Sequence, residues 1–586
     1  MGREFSFRTR EKALERFRTE TFDLLIVGGG ITGAAVARDA VSRGLKVALV
    51  EKNDFAFGTS SRSSKLIHGG LRYLEKLEFR LVFESLSERA LLLKTAPALV
   101  RPLPFYWPVY AGESKGRGIL GLGLWLYDLL ALFRAPGFHR NLSRKAMLRE
   151  LPFLKSEGLK GGFCYFDASM WDDLLAVEIL HSASQGGAAV ANYVEAVEPL
   201  WSDGWISGFR IRDLGSPNGA NEPVIDLKAT RTVVCVGPWT DQLGTSLSKD
   251  WGPWLNPSKG VHLIFDLKRI PLPGAMVMSH PDDGRISFVI PRPDYGAGVV
   301  IVGTTDGPTP PEPEKAEISH EDVKYLLDLL NKYFPSLKLS AADILSGYVG
   351  VRPLVGPSAS LAGSEGQQKA ARPHSDPSSA SLQKVSREHH IDRGPGGTVV
   401  VAGGKYTTHR KMAEEIVDFT LKQWSIDSKK NLKLHLPEHL TRPETRVPIN
   451  PSATPEVFER LATQASSRET ALPAELVSLY GAEAEEILKI HQVEGGSVLK
   501  DPEGFPYLEA QFRFAMRTQM VFHLEDFYLR RTALFASRKD HGLPWADRLS
   551  KVWAQELGLG ESDAQLEKNR LEKEIRHRTE WSKSIG

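Results

Sequence analysis

This sequence of 586 residues has few cysteines, no long apolar run and a small net charge. The two cysteines, Cys164 and Cys235, lie far apart, which excludes a disulfide framework and a cysteine-rich metal site. So few cysteines are typical of a protein from a reducing compartment. No run approaches about 18 uninterrupted apolar residues, so we expect no membrane-spanning helix. The net charge of +2 gives no support to nucleic-acid binding, and we expect no bound metal.

The first twenty residues also lack the patterns of targeting segments. They are rich in arginine, but Glu4, Glu11, Glu15 and Glu20 interrupt them, and transit peptides avoid acidic residues. A secretory signal needs an apolar middle, which is missing here. We therefore expect residues 1–20 to form a charged leader helix that packs on the first domain.

A glycine motif between two predicted strands indicates a dinucleotide site. Leu24–Val27 are an apolar run typical of a buried parallel strand. Gly28, Gly30 and Gly33 follow in the spacing that allows a tight turn, close approach of a pyrophosphate and close helix packing. A second strand ends at Glu51, whose carboxylate suits the hydroxyls of a ribose. An acid at this position favours FAD or NAD over NADP.

Three later segments extend the same nucleotide-binding pattern over about 400 residues of chain. Gly186–Trp201 reads as a strand with a polar tail, and Lys228–Leu243 as an apolar strand that breaks at Gly237. Gly397–Leu421 reads as strand, glycine turn and helix, so a second helix N-terminus can point into the same crevice. The nucleotide domain is therefore predicted to be discontinuous, with substrate-domain segments inserted.

The segment Thr59–Glu75 combines four serines and a threonine with three cations and a glycine pair. Its position after the second strand predicts that it crosses the cofactor crevice. The hydroxyls suit phosphates or the edge of a ring system, and Gly69-Gly70 permit a close approach of the backbone. Arg72 then suits an anionic substrate. The alternative is a serine-rich cap of the helix that follows.

The rest of the chain is predicted to be accessory. Residues 355–384 are a low-complexity loop, either a lid or, as the composition favours, a surface insertion. Residues 426–455 are proline-rich and predict a linker, and residues 456–586 have a helical pattern that favours a packing or oligomer module. Residues 118–133 are apolar but interrupted by glycine, which predicts a buried or interfacial helix.

Eight stretches carry a family resemblance in the order in which they occur: GGGITG, GTSSRSSKLIHGGLRYLE, GPW, SKGVHLIF, GTTD, GVRPL, SREHHI and GGKYTTHRKMAE. With LEDFYLRRT near the C-terminus, they resemble the FAD-dependent, aerobic type of glycerol-3-phosphate dehydrogenase, in the superfamily that includes the D-amino-acid oxidases. The resemblance covers roughly residues 20–540. SSKLIHGGLRYLE is far more specific than the glycine motif, and it displaces the reading of that segment as a helix cap alone.

The resemblance implies an α/β fold. A discontinuous Rossmann-like FAD-binding domain would hold an inserted α+β substrate domain, and an all-α domain would follow. The implied boundaries are a leader at 1–20 and an oxidoreductase region at 21–425. Within that region the FAD-binding segments are about 21–85, 160–260, 345–355 and 385–425, and the substrate segments about 86–159 and 260–345.

The implied reaction oxidises the C2 hydroxyl of sn-glycerol 3-phosphate to dihydroxyacetone phosphate, with hydride transfer to flavin N5. A neutral imidazole at His262 suits the general base. A cation at Lys405 suits the substrate oxygen or the reduced ring. The implied catalytic residues are thus His262, Arg352 and Lys405, and the substrate-binding residues add Arg72, Tyr73 and Arg387.

The implied cofactor site draws on most of the motifs above. Gly28 to Gly33 and Glu51 would take the ADP part, and the serine-rich segment would line the rest of FAD. The full predicted set is Gly28, Gly29, Gly30, Ile31, Thr32, Gly33, Glu51, Lys52, Thr59, Ser60, Ser61, Ser63, Ser64, Lys65, Leu66, His68, Val194, Gly237, Gly404, Lys405, Tyr406 and Thr407.

The sequence departs from the family pattern in three places. The low-complexity loop before Arg387 is longer than the family pattern, Tyr406 stands where leucine is usual, and His409 where tyrosine is common. None of these removes a residue with an implied role, although the long loop weakens the assignment of Arg387.

The implied partners are glycerol 3-phosphate, a quinone as electron acceptor, and the inner face of the cytoplasmic membrane, with a homodimer as a further expectation. Three alternatives remain: an oxidase that passes electrons to O2, a flavin-bearing binding module without turnover, and an amino-acid oxidase. Several substrate-side arginines suit a phosphate dianion better than a carboxylate.

Overall fold

The computed structural model describes most of the chain. Of the predicted site residues, Arg72, Tyr73 and Arg387 lie outside the described residues, as does almost all of the low-complexity loop. The described residues are 3–71, 74, 77–112, 116–132, 134–215, 221–280, 284–356, 389–429, 434–465, 472–495 and 499–584.

Strands dominate the first three quarters of the described chain, and helices alone follow. The strands are β1 (Thr21–Val27), β2 (Val47–Val50), β3 (Leu66–Ile67), β4 (Val100–Tyr110), β5 (Arg140–Leu142), β6 (Leu159–Met170), β7 (Ala189–Ala191), β8 (Val194–Ser202), β9 (Trp205–Asp213), β10 (Ile225–Val234), β11 (Ser258–Asp266), β12 (Ala275–Ser279), β13 (Ile286–Arg292), β14 (Val299–Gly303), β15 (Gly307–Pro308), β16 (Ile344–Arg352), β17 (His390–Arg393) and β18 (Val399–Ala402). The helices are α1 (Phe7–Thr19), α2 (Ile31–Ser42), α3 (Phe79–Thr95), α4 (Arg117–Leu130), α5 (Arg144–Glu150), α6 (Asp172–Gln185), α7 (Thr240–Leu247), α8 (His320–Tyr333), α9 (His409–Ser428), α10 (Pro455–Ala465), α11 (Ala474–Tyr480), α12 (Ala484–Glu494), α13 (Leu508–Thr518), α14 (Leu524–Arg530), α15 (Ala546–Leu557) and α16 (Glu561–Thr579).

The first sheet has a parallel centre in the order β18-β10-β1-β2-β7, with β17 antiparallel at one edge. Its strands are apolar runs because both faces are covered. Helices α2, α6 and α9 pack together on one face, and α1 with the antiparallel β8 and β9 covers the other. Val27 lies in register with Val50 and with Val234, so these strands end at one edge. This is the Rossmann-like arrangement predicted from the glycine motif.

The second sheet has the order β15-β11-β14-β13-β12-β4-β6-β3, with β16 also paired to β11 and β5 to β6. Nearly all of its pairings are antiparallel. Helix α8 covers one face through Val323, Leu326 and Leu330, which are buried in a core of their own. The register of β11 with β16 places His262 opposite Tyr348, and Ser258 opposite Arg352. The sheet thus brings predicted site residues from two distant segments side by side.

The C-terminal helices differ in one respect from their sequence pattern. The repeat of Phe512, Met516, Met520 and Leu524 indicates one long helix, and all four side chains are buried. However, α13 ends at Thr518 and α14 begins at Leu524, with Met520 in a left-handed conformation (φ 46°). The buried stripe was therefore predicted correctly, but the continuous helix was wrong because the chain turns between the two halves.

The N-terminal segment is joined to these C-terminal helices. The Phe5 amide donates to the Arg517 carbonyl at 3.1 Å, and the Met520 amide donates to the Phe5 carbonyl at 2.6 Å. The Phe5 ring is buried and stacks on His181, with ring centroids 5.0 Å apart. Helix α1 packs on the first sheet, and the segment before it also connects the sheet to the C-terminal helices.

Helix α4 presents apolar side chains to solvent. None of the helices in the described part of the chain is long and apolar enough to cross a membrane. On α4, Leu124 and Tyr127 are buried, whereas the opposite face carries side chains that are half or more exposed. These exposed residues are Ile119 (70%), Leu122 (73%), Trp125 (64%) and Leu129 (54%).

Candidate active site

A cavity of about 680 Å³ opens where the parallel strands of the first sheet end. Its wall continues along β11 and β16 of the second sheet, so the two sheets enclose it from different sides. It contains most of the predicted site residues that the structure describes: Gly28, Gly30, Ile31, Thr32, Glu51, Lys52, Thr59, Ser60, Ser63, Ser64, Leu66, His68, Val194, Gly237, His262, Arg352, Gly404, Lys405, Tyr406 and Thr407.

The glycine motif forms a cradle that side chains would fill. Gly28 has φ 110°, and a Cβ there would lie 2.5 Å from the Cys235 carbonyl oxygen. A Cβ on Gly33 would lie 1.9 Å from the Gly28 carbonyl oxygen. Gly30 caps α2 without a side-chain hydrogen bond, and the N-terminus of α2 therefore faces the cavity with its backbone. These are the features that a diphosphate requires.

Glu51 lies on the cavity wall at the end of β2. Its carboxylate accepts hydrogen bonds from the Gly29 amide at 2.7 Å and the Asn53 amide at 2.9 Å. Burial raises the pKa of Glu51. Val194 faces the same part of the cavity and donates its amide to the Glu51 carbonyl at 2.7 Å. The carboxylate is thus held at the position where the motif places a ribose.

The hydroxyl groups of the serine-rich segment lie at the cavity and also form hydrogen bonds that hold the segment in place. Ser60 Oγ accepts the Ile31 amide at 2.9 Å, and Thr59 donates to the Val351 carbonyl at 2.5 Å. Ser63 donates to Asp172 at 2.7 Å. The structure places Gly29, Gly33, Ser61 and Lys65 outside the cavity wall. The Lys65 ammonium pairs with buried Asp172 on α6, so its side chain supports the segment from behind.

The turn after β18 brings Lys405 to the segment around His68. The Lys405 ammonium donates to the His68 carbonyl at 2.8 Å and to Ser85 Oγ at 3.0 Å. Gly404 has φ 111°, which a residue with a Cβ rarely adopts, so the turn requires glycine here. Tyr406 donates to the backbone carbonyl of Asp172. Residues from three distant parts of the chain thus form one wall.

His262 is 3% exposed and lies on β11 at the cavity. Its Nε2 is 2.9 Å from Ser64 Oγ, and its ring stacks on Tyr348 with centroids 4.8 Å apart. Its Nδ1 is buried and, among the described atoms, has no hydrogen-bond partner. Burial, with the charges of Arg352 and Lys65, lowers the pKa of His262 to about 3. The imidazole is therefore neutral at pH 7.

Arg352 ends β16 beside His262. Its guanidinium donates to Thr304 Oγ1 at 2.7 Å and to the Lys259 carbonyl at 3.2 Å, and Asp306 lies 3.3 Å away. A Cβ on Gly260 would lie 2.2 Å from the guanidinium, so glycine leaves the space that Arg352 occupies. The Thr304 hydroxyl, the Lys259 carbonyl and the Asp306 carboxylate together orient the guanidinium at the cavity wall.

Several cavity residues were missed by the sequence reasoning. Arg62 lies within the serine-rich segment, and burial lowers its pKa to about 9. Trp239, in the GPW stretch, donates to Glu314 at 2.8 Å, and both line the cavity. His409 had been noted only as a departure, and burial lowers its pKa to about 4. Position within a recognised motif was a usable signal for the first two, whereas Glu314 has no local signal.

The fold and the cavity together define a flavin-dependent oxidoreductase of the Rossmann type. Residues 23–410 match the family described as FAD dependent oxidoreductase, and residues 446–564 match the C-terminal domain of alpha-glycerophosphate oxidase. The chain belongs to the FAD-dependent oxidoreductase family. The predicted fold class, the resemblance and the FAD cofactor are thereby confirmed, and the residue assignments remain predictions.

Individual relatives cover nearly the whole chain. An aerobic glycerol-3-phosphate dehydrogenase from Staphylococcus saprophyticus is 33% identical over 97% of this chain and 96% of its own. An alpha-glycerophosphate oxidase from Streptococcus pneumoniae is 33% identical over 90% of this chain and 91% of its own. The glycerol-3-phosphate dehydrogenase structure from Bacillus halodurans, complexed with FAD, has a TM-score of 0.72 at 27% identity and covers 97% of this chain and 98% of its own.

Proposed function

We propose that this protein oxidises sn-glycerol 3-phosphate at C2 to dihydroxyacetone phosphate and passes the electrons to a quinone. The observation that carries the proposal is the pairing of a neutral imidazole, His262, with an oriented guanidinium, Arg352, on adjacent strands at the cavity wall. A secondary alcohol needs a base to take its proton, and a phosphate dianion needs a cation. The names of the relatives support the same substrate.

The cofactor residues fit FAD because the glycine cradle, Glu51 and the wall beyond them continue as one cavity towards His262. The N-terminus of α2 would hold the diphosphate and Glu51 the ribose. Lys405 would stand at the ring, where a cation stabilises negative charge. When bound, FAD supplies the two-electron acceptor for the hydride that leaves C2.

The protein's own residues then have two tasks in the reaction. Arg352 binds the phosphate and fixes its orientation, with Arg72 and Arg387 as further predicted cations. His262 accepts the proton of the C2 hydroxyl at Nε2, the nitrogen that faces Ser64 on the cavity wall. The bound dianion offsets the charge of Arg352 and so raises the pKa of His262 from its low value, which strengthens the base.

Anaerobic stopped-flow spectroscopy tests the proposal. sn-Glycerol 3-phosphate should bleach the bound flavin, whereas glycine and D-alanine should not. His262→Ala should slow bleaching at least a hundredfold with FAD still bound, since general acid–base catalysis contributes about 10²–10⁴-fold. Arg352→Ala should slow bleaching at low substrate concentration, because it removes a cation that binds the phosphate. The matched control is His280→Ala, a half-buried histidine that stacks on Tyr325 outside the cavity. Fast bleaching in both cavity variants contradicts the site assignment.

The electron acceptor has a second candidate, because the C-terminal match and the Streptococcus pneumoniae relative both bear the name of an oxidase. An oxidase shares the flavin and substrate residues and differs in passing electrons to O2. Anaerobic turnover with a soluble quinone analogue supports the quinone, and stoichiometric peroxide release in air supports the oxidase.

Helix α4 supports the proposed contact with the inner face of the cytoplasmic membrane. Its exposed apolar face is extended by Phe138, which is 61% exposed. Exposed basic side chains follow this helix in the sequence, and basic residues are typical of helices that bind anionic lipid surfaces. They are Arg134, Arg140, Arg144 and Lys145. Such a contact would bring the protein to a quinone acceptor, which is dissolved in the bilayer.

A further inference from the structure

The peptide unit between His68 and Gly69 is held from both sides. On one side, its carbonyl oxygen accepts the Lys405 ammonium at 2.8 Å and the Thr407 hydroxyl at 3.4 Å. On the other side, the Gly69 amide lies 2.9 Å from the Tyr127 hydroxyl oxygen. A peptide has its negative end at the carbonyl and its positive end at the amide. The Lys405 ammonium therefore places positive charge at the negative end of the peptide, and the Tyr127 hydroxyl oxygen places partial negative charge at its positive end.

Asp167 completes the amide side of this arrangement. Its Oδ1 lies 3.2 Å from the Gly69 nitrogen, and its two oxygens each lie 2.9 Å from the Tyr127 hydroxyl. The carboxylate is 2% exposed and pairs with Arg89, which is fully buried. Burial and the neighbouring Asp167 raise the pKa of Tyr127 well above its usual value, so the hydroxyl keeps its proton. A charge-assisted network thus anchors the amide inside the protein.

Close packing leaves this peptide little freedom. A Cβ on Gly69 would lie 2.4 Å from the Tyr127 hydroxyl and 2.5 Å from Leu86. Tyr127 is 1% exposed, and its ring packs edge-on against Tyr165 with centroids 6.1 Å apart. The network lies behind the cavity wall, since none of Tyr127, Asp167 and Arg89 lines the cavity, whereas His68 and Lys405 do.

We propose that Tyr127 and Asp167 are positioning residues for the oxidation: they fix the His68–Gly69 peptide, and that peptide fixes the Lys405 ammonium in the cavity wall. The proposal rests on the proposed function, in which Lys405 stands at the reacting ring. Tyr127 comes from α4, so the helix that carries the exposed apolar face also supplies a hydrogen bond to the active-site wall. A small rotation of α4 would therefore move the His68–Gly69 peptide and shift the Lys405 ammonium.

Tyr127→Phe tests the proposal, because it removes the hydroxyl and keeps the ring. The matched control is Tyr165→Phe, which alters the neighbouring buried tyrosine but not the bonds to Gly69. Hydrogen-exchange mass spectrometry of the holoenzyme should show faster exchange at the Gly69 amide in Tyr127→Phe only. Flavin reduction at saturating glycerol 3-phosphate, per bound FAD, should slow about threefold to tenfold, the effect of one hydrogen bond.

Two results would overturn the proposal. One is unchanged exchange at Gly69 and an unchanged reduction rate in Tyr127→Phe. The other is an equal loss in both tyrosine variants, which indicates general packing. If Tyr127→Phe does not fold, Asp167→Asn provides the second variant, with the same expected rise in exchange. Failure of the wild type to be bleached by glycerol 3-phosphate would contradict the proposed function instead, and the exchange measurement would still test the anchored peptide.

Discussion

At the scale of single residues, the cavity contains groups whose protonation is set by burial. His262 and His409 line it, and burial lowers their pKa values to about 3 and about 4. His181, under the Phe5 ring and away from the cavity, has a pKa lowered by burial to about 4. The three imidazoles are neutral at pH 7, and protonating any of them places a charge in a buried site with little access to water.

These histidines predict how stability depends on pH. In the unfolded chain each binds a proton below about pH 6.5, but the folded protein resists protonation until its lower pKa. Their contribution to stability is therefore complete above about pH 6.5 and is lost as the pH falls towards 3.

Replacing His262 by Asn should remove up to about 1.4 kcal/mol per pH unit of the slope in unfolding free energy below pH 6.5. His181→Asn should flatten the slope similarly, although His181 lies outside the cavity. Chemical denaturation at pH 7, 6 and 5 measures both slopes. A His262→Asn slope equal to that of the wild type would show that His262 binds a proton as readily in the folded protein as in the unfolded chain.

At the scale of secondary-structure elements, the sequence predicted those features that depend only on residues close together in the chain. The β1–α2–β2 unit was predictable because the glycine spacing and the apolar runs all lie within one short stretch. The role of Lys65 was not, since its partner Asp172 is 107 residues away and only the fold brings them together. Likewise, the apolar pattern of residues 118–133 predicted a helix, but only the packing of Tyr127 shows which face is covered.

The exposed face of α4 yields a prediction for membrane binding. Leu122→Ser with Trp125→Ser should lower the fraction of protein that floats with vesicles containing anionic lipid at least fivefold, because two large apolar side chains leave the bilayer boundary. The matched control is Val493→Ser, which changes a side chain that is 83% exposed on another helix, α12. Equal flotation of the double variant and the wild type would remove α4 from the membrane contact.

At the scale of the whole molecule, the C-terminal helices contact the segment that follows β2, next to the cavity wall. Arg530 and Arg531, at the end of α14, both pair with Asp54, which lies three residues after Glu51 and is fully buried. Although burial favours the neutral acid, Arg531 and Arg530 lower the pKa of Asp54 to about 2. The two arginines lie in the LEDFYLRRT stretch, but Asp54 lies in none of the recognised motifs, and a pairing across most of the chain's length could not be predicted from the sequence.

Breaking this cluster should therefore affect stability and cofactor binding together. Arg531→Met should cost about 3–5 kcal/mol of unfolding free energy, the usual effect of removing one partner of a buried ion pair. It should also weaken FAD retention, because Asn53, the neighbour of Asp54, lines the cavity.

Denaturation and flavin absorbance after gel filtration measure the two effects. The matched control is Arg548→Met, in a partly exposed pair with Glu509, which should cost less than about 1 kcal/mol. Equal losses in the two variants would contradict a special role for the Asp54 cluster.

The backbone bonds between Phe5 and the turn at Arg517–Met520 have a consequence for biosynthesis. During translation, these partners of Phe5 are made more than 500 residues after it. Until then the N-terminal segment lacks these backbone hydrogen bonds. Contacts of such long sequence separation form slowly and late. Docking of this segment is thus expected to be one of the late folding steps.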